Sequence, residues 1–112
     1  MRDRILHLNT LPAELTVADV ASRFGSSGYV VESVPLALYA ARTIESLPLD
    51  VILRSTIEAG GDTDTVASMT GQLAGTWIGA SQISPNMIQL LPNASNIEQA
   101  ANEFAESIEP LK

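Results

Sequence analysis

The chain has 112 residues, is 46% hydrophobic and only 4% aromatic, and carries 13 Asp and Glu against 6 Lys and Arg for a net charge of −7, with no cysteine. That length suits one domain spanning residues 1–112, able to bury roughly two thirds of its unfolded surface, and the composition is globular rather than disordered. Scattered cations disfavour binding to a nucleic-acid backbone or an anionic membrane, and the absence of cysteine excludes disulfide frameworks and thiolate metal sites.

At the N-terminus, "MRDRILHLNT" has charges but no apolar core long enough for a signal peptide. No apolar run approaches the roughly 20 residues of a membrane span. The expectation is a cytoplasmic protein. Thr16 followed by Asp19 predicts a helix start, with Val17, Val20, Ala21 and Phe24 on one apolar face. Gly25-Ser26-Ser27-Gly28 ends that helix. A second helix is expected from Tyr29 to about Ile44, with Pro35 separating or kinking its first turn because it lacks a backbone donor. Ser46 as cap and Pro48 in the first turn start a third helix. Its apolar residues are Leu49, Ile52, Leu53 and Ile57, and it ends at Gly60-Gly61. A fourth runs from about Asp64 to Gly79. Residues 84–92 form a short helical piece closed by Pro92. In the last helix, Ser95 and Glu98 match a capping box. Ile97, Ala101, Phe104 and Ile108 line one face, opposite Glu98, Gln99, Glu103, Glu106 and Glu109 on a solvated face. The expectation is all-α, a compact orthogonal bundle of about five or six helices.

Two of these helices are apolar on more than one side. The second has only Glu32, Ser33 and Arg42 as clearly polar residues. The fourth has Val66, Met69, Leu73 and Trp77 on one face, read as core, and Ser68, Gly71, Gln72, Gly75 and Gly79 around another. Both want neighbours on several sides. Part of that packing is therefore expected from another chain, a second copy included, or from sequence not present in this one. Glu32, if buried, needs Arg42 or a backbone donor as partner. His7 is the sole histidine and has no positioning partner near it in sequence. No Ser/His/Asp set can be built on it, and no catalytic residue is assigned.

The densest polar pattern is "EAGGDTDTVASMTG", residues 58–71. Asp and Thr are preferred helix caps, and negative charge suits the first turn. One carboxylate satisfies a cap, whereas a second two residues on adds repulsion. Two carboxylates with a hydroxyl are also what a hard cation such as Mg²⁺ takes. Gly60 and Gly61 let the backbone turn sharply beside a ligand. Spacing alone leaves cap and metal site both open.

"GGDTDTVASMTGQLAG" resembles the C-terminal signature of the ADP-ribosylglycohydrolase family, and "SGYVVESVPLALYAA" resembles the helix that precedes it there, in the same order and spacing. The resemblance extends over most of residues 25–92. It implies an all-α fold and hydrolysis of the glycosidic bond between ADP-ribose and an acceptor. The partner is then an ADP-ribosylated protein or an ADP-ribose-containing small molecule. It implies a pair of Mg²⁺ ions (Mn²⁺ as a substitute) that bind and orient the ribose. Asp62, Asp64 and Thr65 correspond to metal ligands, and Ser26, Ser27, Gly28 and Tyr29 to contacts with substrate. The family completes its metal site with an N-terminal Thr-Asp-Asp stretch in a chain more than twice as long, and its acidic catalytic residue is N-terminal too. No Asp-Asp pair occurs here, and Asp3, Asp19 and Asp50 lack the matching context. The expectation is the C-terminal portion of such an enzyme, inactive alone, either as a truncated product or as one chain of a split enzyme that a complementary N-terminal chain completes. The competing expectation is a non-catalytic helical module that binds itself or a partner.

Overall fold

The computed structural model describes residues 1–10 and 15–108. The expected Glu109 end of the solvated face lies outside them. Among the described residues there are seven α-helices and no strand. They are α1 (Arg2–Leu8), α2 (Val17–Phe24), α3 (Val30–Arg42), α4 (Leu49–Glu58), α5 (Thr63–Ile78), α6 (Pro85–Gln89) and α7 (Ala94–Ser107). Short 3-10 turns occupy Thr43–Glu45 and Ala80–Gln82. The all-α expectation holds.

α2 starts at a complete capping box. Asp19 N–H donates to Thr16 Oγ1 at 3.1 Å, and Thr16 N–H donates to Asp19 Oδ2 at 3.0 Å. These hydrogen bonds, the one from the Thr16 backbone first, hold the Asp19 carboxyl below its ordinary value. Val17, Val20 and Ala21 are buried as the periodicity requires. α1 is a helix that short-range pattern did not announce. It is anchored by buried Leu8, by the Arg4 guanidinium donating to the Phe24 carbonyl, and by the His7 ring meeting the Phe24 ring edge-on at 5.3 Å. His7 is otherwise exposed.

α3 is the central element, packing most extensively against α5 and also against α1, α2 and α4. It runs through Pro35 as one helix, so the proline does not separate the first turn. The proline removes only the N–H that would reach Val31, near the start of the helix, and its ring is buried in the core. Tyr39 is buried, and its hydroxyl donates to the Leu15 carbonyl at 2.7 Å. Leu36, Ala37 and Ala40 share the main core with Val20, Ile52 and Val66. Truncating Ile52, which is 1% exposed, to Ala would cost about 2–5 kcal/mol.

α4 begins two residues later than expected, with its cap at Pro48 rather than Ser46. Pro48 is extended, while the Ser46 hydroxyl turns back to the Thr43 carbonyl at 3.3 Å. Its buried residues are Leu49, Ile52 and Thr56, whereas Ile57 is exposed. The larger correction concerns α5. Its buried stripe is Val66, Thr70 and Ala74, with Met69 half-buried against the main core as expected, whereas Leu73 and Trp77 are not core. Small residues there allow α3 to come close, and Ala41, Ala74 and Leu49 form a second buried cluster. The Thr70 hydroxyl satisfies itself on the Val66 carbonyl at 2.7 Å. Leu73 is exposed and Trp77 is 72% exposed.

α7 also departs from expectation. Its cap is Asn93, in left-handed conformation at φ 61°, so Ser95 already lies inside the helix and forms no capping box with Glu98. Ile97 and Phe104 on it and Ile108 at its C-terminal cap are exposed, and among the described residues no α7 side chain is buried in the core. The radius of gyration is 15.2 Å, against about 13 Å for a closed domain of this length.

Candidate functional site

The site grows from two turns. α4 ends at Glu58, and Gly60 and Gly61 follow at φ 79° and 76°, a region that costs other residues strain. Gly61 is also needed for space, since a Cβ there would collide with the carbonyl and hydroxyl oxygens of Ser26. The chain then enters α5 through Asp62. Asp62 Oδ1 accepts from Thr65 N–H at 3.4 Å, and Oδ2 accepts from Thr65 Oγ1 at 2.9 Å. Asp62 is therefore a helix cap. Asp64, in the first turn of α5, is exposed and makes no side-chain hydrogen bond among the described residues.

The second turn is the 25–29 loop between α2 and α3. It lies directly on the first: Asp62 N–H donates to the Ser26 carbonyl at 2.7 Å. A Cβ on Gly28 would stand 2.6 Å from Asp62 Oδ2. Ser26 and Gly28, singled out as substrate contacts, thus lie against Asp62, singled out as a metal ligand more than 30 positions further on in sequence. Ser26 is half-buried, while Ser27, Gly28 and Tyr29 are exposed.

On the other side of this loop sits Glu32. Its Oε1 accepts from Ser27 N–H at 3.3 Å and from Ser27 Oγ at 2.8 Å. Ser27 Oγ in turn accepts from Tyr29 N–H at 3.2 Å. The Glu32 carboxylate occupies the space that a Cβ on Gly25 would need, and Gly25 is at φ 97°. Glu32 thus finds its donors in Ser27. Arg42, the other partner considered, lies over the Tyr39 ring at 5.0 Å. Sequence reasoning did not connect Glu32 with Ser27, although a carboxylate at the third position of a helix is a known signal for reaching back.

Asp62, Asp64 and Thr65 offer two carboxylates and one hydroxyl on one helical turn. Among the described residues, no group of three or more His, Asp or Glu side chains is gathered. The donor set fits a hard cation in kind, being all oxygen. Thr65 gives its proton to Asp62 and keeps its lone pairs for a further partner. The set covers only part of an octahedral shell, and the N-terminal end of α5 opposes a cation.

Away from this site lies an apolar groove of about 290 Å³, lined by Leu38, Ala41, Arg42, Leu73 and Trp77 among others. No helix among the described residues is long and apolar enough to cross a membrane.

An all-helical body that carries a Gly-Gly-Asp-Thr-Asp-Thr turn against a Gly-Ser-Ser-Gly-Tyr loop has a known counterpart. The chain belongs to the ADP-ribosylglycohydrolase family, whose model matches residues 2–111. It is 31% identical over 110 residues to ADP-ribosylhydrolase ARH3 of Gallus gallus, covering 90% of this chain and 29% of the relative. It is 38% identical over 80 residues to ADP-ribosylhydrolase ARH3 of Homo sapiens, covering 63% and 22%. It is 32% identical over 79 residues to ADP-ribosylarginine hydrolase Tri1 of Pseudomonas putida, covering 70% and 21%. The chain thus spans less than a third of the length of these curated relatives. No solved structure matches it.

Proposed function

We propose that this chain supplies one side of a Mg²⁺-dependent ADP-ribosylglycohydrolase site, which hydrolyses the glycosidic bond between ADP-ribose and an acceptor on a protein or small molecule. One observation carries the reading: the Asp62-to-Ser26 hydrogen bond that seats the 25–29 loop on the mouth of α5. In this reading Asp62, Asp64 and Thr65 hold the cation, and Ser26, Ser27, Gly28 and Tyr29 face the ADP-ribose. The names of the relatives, hydrolases of ADP-ribosylated substrates, support the substrate class. Mg²⁺, when bound, supplies charge and orientation to the ribose. The residues of this chain position it. The remaining ligands and the catalytic acid come from polypeptide other than these 112 residues, and the chain alone does not turn over.

Amide shifts by NMR on titration with ADP-ribose and Mg²⁺ test this. Shifts confined to residues 26–29 and 62–65 are expected. Shifts elsewhere only, or none at millimolar ADP-ribose, would remove the reading. Robust release of ADP-ribose from a modified protein by the isolated chain, lost in Asp64→Asn, would mean that the site is already complete.

A second reading, a helical module that binds itself or another chain, draws on different residues. It is favoured by the exposure of Trp77 and of the apolar face of α7. The two readings are compatible, because a chain that completes the site would need a surface to dock on.

A further inference from the structure

We propose that Glu32 is a positioning residue: its carboxylate sets the shape of the 25–29 loop and thereby the seating of Gly28 against Asp62. What that loop touches rests on the function proposed above, whereas the positioning role rests on geometry alone.

Glu32 is the third residue of α3, where a glutamate ordinarily reaches back to the N–H of the cap residue. The cap here is Tyr29, and Glu32 does not take its N–H. It reaches further, to Ser27, and accepts from both the backbone and the hydroxyl of that residue. Ser27 then uses the same hydroxyl oxygen to accept the Tyr29 N–H. One carboxylate oxygen therefore orders Ser27 directly and Tyr29 through it. Gly25 leaves the room for this, because any side chain there would displace the Glu32 carboxylate. At the far end of the loop, Gly28 rests against the second carboxylate, Asp62. The loop is bracketed by two carboxylates from two different helices, one inside α3 and one capping α5. An interaction confined to the α3 terminus would need neither the reach to Ser27 nor a glycine at 25.

Three substitutions separate loop positioning from plain helix stabilisation. Glu32→Gln keeps the accepting Oε1 and loses the charge. Glu32→Asp keeps the charge in the first turn, where it suits the helix dipole, and is too short to reach Ser27. Glu32→Ala loses both. Amide exchange at Ser27, Tyr29 and Asp62 is the readout, with the thermal midpoint measured alongside. If Glu32 positions the loop, Asp and Ala raise exchange at Ser27 and Tyr29 by about tenfold or more, while Gln stays within about twofold of the parent. At Tyr29, which is held through the Ser27 hydroxyl, adding Glu32→Ala to Ser27→Ala then changes exchange little further, whereas the Ser27 amide, which Glu32 still holds in Ser27→Ala, is released only by the second substitution. Affinity for ADP-ribose follows the same order, with Gln restoring what Ala loses. Exchange unchanged in both Asp and Ala variants would overturn the proposal. So would a Gln variant as loose as Ala, or full additivity at Tyr29 in the double variant. A loosened loop in a protein whose parent form does not bind ADP-ribose would leave the positioning role standing and remove the reading of the loop's ligand.

Discussion

The backbone N–H of Asp62 donates to the carbonyl of Ser26 at 2.7 Å, and Gly28 presses on the Asp62 carboxylate from above. Two glycines permit this contact for different reasons. Gly28 has no positive φ, so Gly28→Ala adds only a methyl group, and the Asp62 carboxylate must move aside. Stability should fall by no more than the roughly 1–2 kcal/mol of a lost cap in chemical denaturation, while NMR shifts at Asp62 and Thr65 are large and any response to Mg²⁺ weakens. Gly61→Ala meets backbone of Ser26 and a left-handed φ together. It should cost more than about 2 kcal/mol. Equal stability of the two variants would contradict this division.

How much of this was readable in sequence depends on how local the cause was. The Thr16 and Asp19 capping box and the glycines after α4 are local, and the structure has them where the pattern put them. The same logic misled at Ser95 and Glu98, because Asn93 in left-handed conformation starts α7 sooner. α5 is apolar on two sides, so its periodicity could not say which side α3 would take; the smaller stripe of Thr70 and Ala74 won, since it admits closer approach. α1 spans only Arg2–Leu8, too short for a periodic signal, and its anchor is the distant Phe24. The contact between the 25–29 loop and Asp62 is long-range and has no local signature. Resemblance named both loops, and folding brought them together.

Asp19 gives the α2 cap a pH dependence. Its folded pKa is lowered from 3.8, first by the Thr16 backbone hydrogen bond. A lowered carboxylate contributes stability that is present above its unfolded value and lost as pH falls through the folded one. The parent chain should therefore exceed Asp19→Asn in thermal midpoint at neutral pH, and the gap should close below about pH 4. A gap that persists at pH 2 would show that the charge is not its origin.

Trp77 is the sole tryptophan and 72% exposed, beside Leu38 and Leu73 on the apolar groove. Exposed apolar surface of this kind is normally covered. Emission of the dilute chain should be that of a solvated indole. It should shift to shorter wavelength as concentration rises and the chain self-associates, or when a chain that completes the site is added. Trp77→Ser should weaken association seen by light scattering, with a stability change within about 0.5 kcal/mol, as for other surface positions. A parent chain that remains monomeric and keeps a solvated emission at high concentration would argue against a docking face here.

Asp62 and Asp64 separate capping from cation binding. Asp62 holds Thr65 through N–H and hydroxyl, so Asp62→Ala should cost about 1–2 kcal/mol as a lost cap. Asp64 is exposed with no side-chain hydrogen bond among the described residues, so Asp64→Asn should leave the unfolding midpoint nearly unchanged. Two carboxylates and one hydroxyl leave most of an octahedral Mg²⁺ shell to water, and the end of α5 subtracts from their attraction. Calorimetric titration of the isolated chain should show Mg²⁺ or Mn²⁺ binding no tighter than about millimolar, the weak end of oxygen-ligand sites. Either substitution should abolish that binding, but only Asp62→Ala should also lower stability. Under the function proposed above, adding a polypeptide that supplies further carboxylates should tighten the binding. Micromolar Mg²⁺ affinity in the isolated chain would mean that this turn needs no such partner.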